Sequence, residues 1–362
     1  MINFANPKKE NSYFKKKIIK SISKVISSNQ YILGKEVKDF ENNFSSYIKS
    51  RYACGVSSGT DALILALKSL NIKKGDEVIT TSHTAVATAA SIVEVGAKPV
   101  FVDVDESYNI DINKLNKKIN TKTKAIIAVH IYGNPINIEL LKKKIKKKIL
   151  IIEDCSQAHG SEIYGKKVGS IGDIGCFSLY PTKNLGCIGD GGVLTTNNKK
   201  LYDNWKILRE YGWKKKNFAS IHGINNRLDE IQAAILNVKI QSIDMLINKR
   251  ISNANFYLSN IKNKNIVLPK IMSNAKHSFH LFVIRVLNNK RKLLIKKLKN
   301  SNINPGIHYP TPIHMQTAYK KYSNGDLKLT EKYAQQILSI PCYPFLEDRI
   351  KKKITHIINN LS

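Results

Sequence analysis

The sequence predicts an α/β protein, with a large domain on a mainly parallel central sheet and a smaller C-terminal α/β domain. Two observations carry this. Between Tyr52 and Thr196, short apolar runs rich in branched residues alternate with stretches of helical periodicity. After about residue 245 the character changes to a strand-like run, a basic helix and proline-punctuated loops. At 362 residues the chain is long enough to build both units.

Val78–Thr81, Pro99–Val104, Ala125–Ile131, Ile149–Glu153 and Gly192–Thr195 read as buried strands, because each is short and rich in branched residues. Asp61–Leu70 and Thr84–Val95 place apolar residues at helical spacing. Strands alternating with helices pair in parallel and are covered on both faces. In such sheets ligands gather beyond the carboxyl ends of the strands, so the polar residues there are the ones to inspect. Arg227–Ser242 is strongly helical and closes the first unit, assigned to residues 1–244. In the second, residues 245–362, His277–Val286 reads as a strand and Lys290–Lys299 as a basic helix. Loops follow at Pro305–Pro312 and Pro341–Pro344.

A hydrophobic content of 42% belongs to a globular chain rather than a disordered one. No apolar run approaches the ~18–20 residues of a membrane span. Met1–Lys17 is polar and lysine-rich and does not read as a secretory signal, so the expected location is cytoplasmic. The five cysteines are scattered and form no CxxC pair, which supports neither a disulfide framework nor a metal site. The formal charge of +32 comes from lysine runs such as Lys142–Lys144, Lys146–Lys148, Lys214–Lys216 and Lys351–Lys353. They are spread from end to end and are not interleaved with arginines and aromatics, so a solvated basic surface is expected rather than nucleic-acid binding.

Lys183 lies in Ser178-Leu-Tyr-Pro-Thr-Lys-Asn184, just before the glycine-rich Gly186–Gly192. A lysine that acts covalently needs a restrained position and surroundings that tune its amine, and Pro181 with the glycines predicts a tight loop rather than an exposed helix face. Asp154 ends the run Ile149–Glu153, at the ligand-binding edge of a parallel sheet. A carboxylate there needs a cation, either an ordinary ion-pair partner or the protonated ring nitrogen of pyridoxal phosphate (PLP). Gln157, three residues on, is placed to bond the ring hydroxyl. Ser57-Ser-Gly-Thr-Asp61 opens a helix, which suits either a cap or a phosphate cradle, and Ser178 can add a hydroxyl. His83 follows a strand and precedes a helix, where its ring can stack on a cofactor or serve structure alone.

These residues resemble the DegT-type nucleotide-sugar aminotransferases, within the aspartate-aminotransferase-like PLP fold (fold type I). The resemblance runs from Tyr31-Ile-Leu-Gly34 through Gly59-Thr-Asp-Ala-Leu63, Gly75-Asp-Glu-Val78 and Glu153-Asp-Cys-Ser-Gln-Ala-His-Gly160. It continues with Tyr180-Pro-Thr-Lys-Asn184, Asn225–Ala234, His308-Tyr-Pro310 and Pro341-Cys-Tyr-Pro344. It implies that Lys183 is the Schiff-base lysine and that Asp154 pairs with the ring nitrogen, with Gln157 near the ring hydroxyl. It places Gly59, Thr60 and Ser178 at the phosphate, and makes His83 the ring-stacking residue. Asn225 would reach the phosphate of a neighbouring subunit, implying a homodimer with shared sites. His308 and Tyr309 align with a loop near the sugar. The implied reaction moves an amino group, from glutamate by family habit, to a nucleotide-linked keto-sugar in surface-polysaccharide or amino-sugar synthesis. One branch replaces the lysine with histidine and dehydrates its substrate; the lysine here favours transamination over that reading and over a non-catalytic regulator. Ser82-His-Thr84 is similar to the members that aminate C3. Ile224 and Asn226 depart from the tyrosine and serine common beside Asn225.

Overall fold

Seven strands form the central sheet of the computed structural model, which describes residues 1–147, 149–323 and 325–362. In chain order they are β1 (Tyr52–Val56), β2 (Glu77–Thr81), β3 (Lys98–Val102), β4 (Thr123–Val129), β5 (Leu150–Asp154), β6 (Ile174–Ser178) and β7 (Gly192–Thr196). Across the sheet the order is β1-β7-β6-β5-β4-β2-β3. The pairings from β6 to β3 are parallel, whereas β7 runs antiparallel to both its neighbours. The five expected strands are all present. The two strands that were not read, β1 (YACGV) and β6 (IGCFS), are buried like the rest but poor in branched residues, so their strand character comes from pairing rather than composition.

This topology puts the carboxyl ends of β1, β2, β5 and β6 along one edge. The reversed β7 starts at that same edge, with Gly192. Helix Gly59–Ser69 leaves the end of β1 and packs against β6 and β7, burying Leu63, Leu65 and Leu67. Helix Val86–Glu94 follows β2 and is shorter than the Thr84–Val95 periodicity suggests, because the chain bends at residues 82–84 and Ala85 is still extended.

One cap is supplied from far away in sequence. The helix Lys35–Ile48 starts at Gly34, which has no side chain to cap it. Buried Glu230 takes that role: Oε1 accepts from the backbone N–H of Gly34 at 2.7 Å and Val37 at 3.0 Å, and Oε2 from Glu36 at 2.9 Å. A carboxylate at a helix N-terminus satisfies orphan donors and complements the helix dipole.

In the C-terminal region, Phe282–Val286 pairs antiparallel between Ile266–Val267 and Ile337–Ile340. Helices Ile243–Asn260, Arg291–Asn300 and Asp348–Asn359 close a separate apolar cluster that includes Tyr257, Phe282, Leu298 and Ile354. The strand expected over His277–Val286 is therefore shorter. Residues 277–281 leave the ladder, with Phe279 at a φ of 46°, and turn toward the large sheet. Ile2–Asn3 pairs in parallel with Ile303–Asn304, tying the N-terminus to this region. Among the described residues no helix is long and apolar enough to cross a membrane. Lys148, the last residue of the Lys146–Lys148 run, lies outside the described residues.

Candidate active site

A cavity of about 440 Å³ opens at the carboxyl edge of the sheet. Lys183, Asp154, Gln157, Gly59, Thr60, Ser178, His308 and Tyr309 all line it, although they come from four separate stretches of chain. His83 and Asn225 do not line it.

Lys183 is held by its loop. Its backbone N–H turns onto Tyr180 O at 2.9 Å, and Asn184 Nδ2 donates to Ser278 O at 3.2 Å. Buried Lys239, paired with Glu10, donates to Gly186 O at 2.7 Å and fixes the far end of the loop. Among the described residues the Lys183 amine has no hydrogen-bond or ion-pair partner. Its side chain is half-buried where it lines the cavity. That desolvation lowers its pKa to about 8, and the nearby Asp154 charge acts in the opposite direction.

Asp154 is 5% exposed. Its Oδ2 accepts from Thr88 Oγ1 at 3.0 Å, and its Oδ1 accepts from Ser156 N at 3.1 Å. Thr84, which lines the cavity, lies 3.1 Å from Thr88. A carboxylate only accepts, so Thr88 must donate to Asp154 and receive its own hydrogen bond from Thr84. Among the described residues no cationic side chain forms an ion pair with Asp154.

Also in the cavity wall, Ser58 caps the Gly59–Ser69 helix by accepting from Asp61 N at 3.1 Å. The turn is pressed between two strands. A Cβ on Gly59 would come 2.6 Å from Ser178 Cβ, and one on Gly192 would come 2.1 Å from Ser58 O. Only glycine allows the first-turn N–H groups of Gly59 and Thr60 to lie this close to the Ser178 hydroxyl, an arrangement that suits a phosphate dianion.

Gln157 is used at both ends. Its Oε1 accepts from Tyr132 N at 2.8 Å, and its Nε2 donates to Tyr309 OH at 2.9 Å. One Nε2 hydrogen remains for a ligand. Burial raises the Tyr309 phenol to about 12, so it stays protonated. Burial, with the Lys183 charge close by, lowers His308 to about 4.

The ring-stacking expectation for His83 is corrected. Its imidazole points back under the sheet edge, 2.7 Å from Tyr132 OH and stacked on Tyr108 at 5.9 Å. The small side chains of Ala85 and Ala87 line the cavity instead. The physical reason is that the chain bends at residues 82–84 once β2 has ended, which turns the ring at 83 inward while Thr84 and Ala85 face the cavity. Asn225 is exposed and bridges to Glu210, outside its own chain's cavity. Its neighbour Asn226 is the buried one, accepting from Ser57 N at 3.0 Å and from the Ser57 hydroxyl.

Sequence reasoning missed His280 and Phe4, which also line the cavity. His280 is buried and held neutral by burial, with the Lys183 charge as the next cause. A polar residue inside the apolar run HSFHLFVIRV was the one available signal. Phe4 carried no signal, because its ring meets His308 (4.7 Å) only after the N-terminus folds back.

His130, Glu153 and Cys155 lie close enough together to hold a metal ion. The lone pairs of His130 and Glu153 are otherwise engaged, and burial raises the pKa of the Cys155 thiol well above its ordinary value. His130 Nδ1 accepts from Ile136 N at 2.9 Å, which leaves its Nε2–H to donate to Glu153 Oε2 at 3.0 Å. Glu153 Oε1 accepts from Ile171 N and Gly172 N. The His130–Glu153 pair braces the strand that carries Asp154.

Two features of the chain fit PLP. Asp154 is a buried carboxylate that needs a cation, and the protonated ring nitrogen provides one. The Ser58–Thr60 turn and Ser178 form a phosphate cradle that a Cβ at 59 would fill.

The chain is 41% identical, over 99% of both lengths, to a dTDP-3-amino-3,6-dideoxy-alpha-D-galactopyranose transaminase of Aneurinibacillus thermoaerophilus. Its fold is similar to that of DesV from S. venezuelae, with a TM-score of 0.96 and 35% identity over 99% of this chain and 97% of that one. It is also similar to NtdA from Bacillus subtilis with bound cofactor PMP, with a TM-score of 0.88 and 29% identity over 95% and 82%. The model of one family matches residues 12–361, and this chain belongs to it: the DegT/DnrJ/EryC1/StrS aminotransferase family.

Proposed function

We propose that this PLP-dependent sugar aminotransferase moves an amino group from glutamate to C3 of a 3-keto-6-deoxyhexose linked to dTDP. The observation that carries the reading is the meeting of Lys183 and the cation-seeking Asp154 in one cavity that ends in a phosphate cradle. The C3 position and the nucleotide rest on the name of the Aneurinibacillus relative.

Bound PLP supplies an electron sink for the charge that develops at the amino-bearing carbon. The chain's own residues do the rest. Asp154, held by Thr88 and Ser156 N, keeps the ring nitrogen protonated. Gly59, Thr60 and Ser178 hold the phosphate, and Gln157 presents its free Nε2 hydrogen to the ring hydroxyl. Lys183 removes the proton from the donor's α carbon and delivers it again. An amine near 8 is partly neutral at physiological pH, as a general base must be. Neutral His308 and protonated Tyr309 face the sugar as hydrogen-bonding groups.

The wider arrangement is read in the same way. Residues 1–244 form the PLP domain and 245–362 the small domain, on the strength of the separate apolar cluster. Asn225 reaches the phosphate of a second copy, making a homodimer with shared sites. Its exposure, and the exposed Tyr211, Phe218 and Ile221 near it in the chain, support that reading. Five buried, unpaired cysteines fit a cytoplasmic protein that feeds surface-polysaccharide synthesis.

The test is an absorption spectrum of the PLP-loaded protein before and after glutamate. The visible cofactor band should be lost on adding glutamate and return on adding a dTDP-linked 3-keto-sugar. A band that ignores glutamate would remove the donor assignment, and one restored by no keto-sugar would remove the acceptor.

A further inference from the structure

Ser82 and His83 follow β2 and lie outside the cavity, yet they hold both ends of the loop that brings His308 and Tyr309 into it. At the first end, Tyr132 OH donates a short hydrogen bond to His308 O. A carbonyl only accepts, so the single phenolic hydrogen is committed there. The 2.7 Å contact between His83 Nε2 and the same phenol therefore has the imidazole as donor, which fixes its Nε2–H tautomer. Burial lowers His83 to about 4, so it is neutral in this role. At the second end, Ser82 O accepts from Ile313 N at 3.1 Å. The Ser82 hydroxyl accepts from His314 N at 3.0 Å and lies 2.7 Å from His314 Nδ1. Both anchors are buried.

Tyr132 also closes a ring of bonds. Its N–H holds Gln157 Oε1, and Gln157 Nε2 holds Tyr309 OH. The side chain proposed to meet the cofactor and the loop proposed to meet the sugar are thus joined through one tyrosine.

We propose that Ser82, His83 and Tyr132 are positioning residues that fix the 308–314 loop and so set the affinity for the sugar, without touching substrate or cofactor. The sugar half of this inference rests on the keto-sugar reading above. The clamp itself is a property of the protein alone.

Two measurements test it. The first is amide hydrogen exchange of a peptide spanning residues 306–315 in the cofactor-free protein. Tyr132→Phe and His83→Phe should speed exchange there by about tenfold with the rest of the chain unchanged. His83→Gln, which restores an N–H donor, should return it close to wild type. The second is steady-state kinetics, where Tyr132→Phe should raise KM for the nucleotide-linked keto-sugar several-fold while kcat holds. Unchanged exchange in Tyr132→Phe, or exchange that rises equally along the whole chain, overturns the clamp, as does a His83→Gln variant that behaves like His83→Phe. Faster local exchange with no change in KM overturns the link to the sugar. A wild-type protein that aminates no keto-sugar refutes the function proposed above while the exchange result still decides the clamp.

Discussion

The Thr88 hydroxyl donates a 3.0 Å hydrogen bond to Oδ2 of Asp154, and both side chains are buried. Thr84 donates in turn to Thr88, so a directional chain of hydroxyls runs from the cavity wall to the carboxylate. A hydrogen bond to a charged group contributes about 1.5–3 kcal/mol. Thr88→Val keeps the shape and removes the donor. Cofactor affinity, read by titrating the cofactor-free protein with PLP, should fall by about tenfold or more. An unchanged affinity would show that Asp154 does not depend on this chain.

Asp154→Asn should cost more. The amide has the same outline but carries no charge to hold a protonated ring nitrogen. Turnover should fall by at least about two orders of magnitude, since the ring then loses its protonated form. Lys183→Ala should abolish turnover altogether. The assay is amino transfer from glutamate, and near-wild-type rates in either variant would remove the mechanism.

The lowered Lys183 pKa makes a stability prediction for the cofactor-free protein. The folded value is about 8, below the ordinary 10.5. Below pH 8 the unfolded chain binds the proton more tightly and the full cost of burying the charged amine is present. As pH rises from 8 to 10.5 that cost is released, so this group's contribution to stability grows with pH. Lys183→Met removes the titration. The variant should be more stable than wild type at pH 7, by at most about 3 kcal/mol and less for the part of the side chain that the cavity hydrates. The gap should close by pH 10.5. Urea unfolding at the two pH values measures it, and a gap independent of pH would refute the shift.

Gly59→Ala should cripple cofactor binding without unfolding the protein. The added methyl meets Ser178 Cβ at 2.6 Å and Ser178 Cα at 3.0 Å, and the backbone atom cannot swing aside. The turn must open, which moves the Gly59 and Thr60 N–H groups. A PLP titration should show at least about tenfold weaker binding. Wild-type affinity would mean that the phosphate sits elsewhere.

Glu230→Ala leaves the N–H groups of Gly34, Glu36 and Val37 without their acceptor. The expected loss is about 2–3 kcal/mol in urea unfolding, the cost of stranding buried donors. Glu230→Gln keeps an Oε1 acceptor for two of the three donors and should fall between the two. Equal stability of all three proteins would remove the cap.

Much of the site was legible because its residues sit at element junctions. Asp154 ends an apolar run, Gly59 starts an amphipathic helix, and Lys183 precedes a cluster of glycines. Each junction combines a change of periodicity with a residue type that is costly there unless it is used. His83 shows the limit of that reasoning. Its position beside a strand end drew attention to it, but which way the bend at 82–84 would turn its ring was not encoded in composition. The same holds for Asn225 and Asn226, where adjacent asparagines take opposite roles, one exposed and one buried beneath Ser57.

The sequence by itself determined the α/β class, most of the strands and helices, the family and the place of the lysine, because these follow from local periodicity and from motifs contiguous in the chain. Only the tertiary structure decided that β1 and β6 are strands, that Glu230 caps a helix some two hundred residues earlier, that Phe4 and His280 wall the cavity, and that Ser82 and His83 grip a loop more than two hundred residues away. Each depends on a hydrogen bond or a buried face supplied by a distant segment, and a distant partner leaves no local mark on the chain that must wait for it.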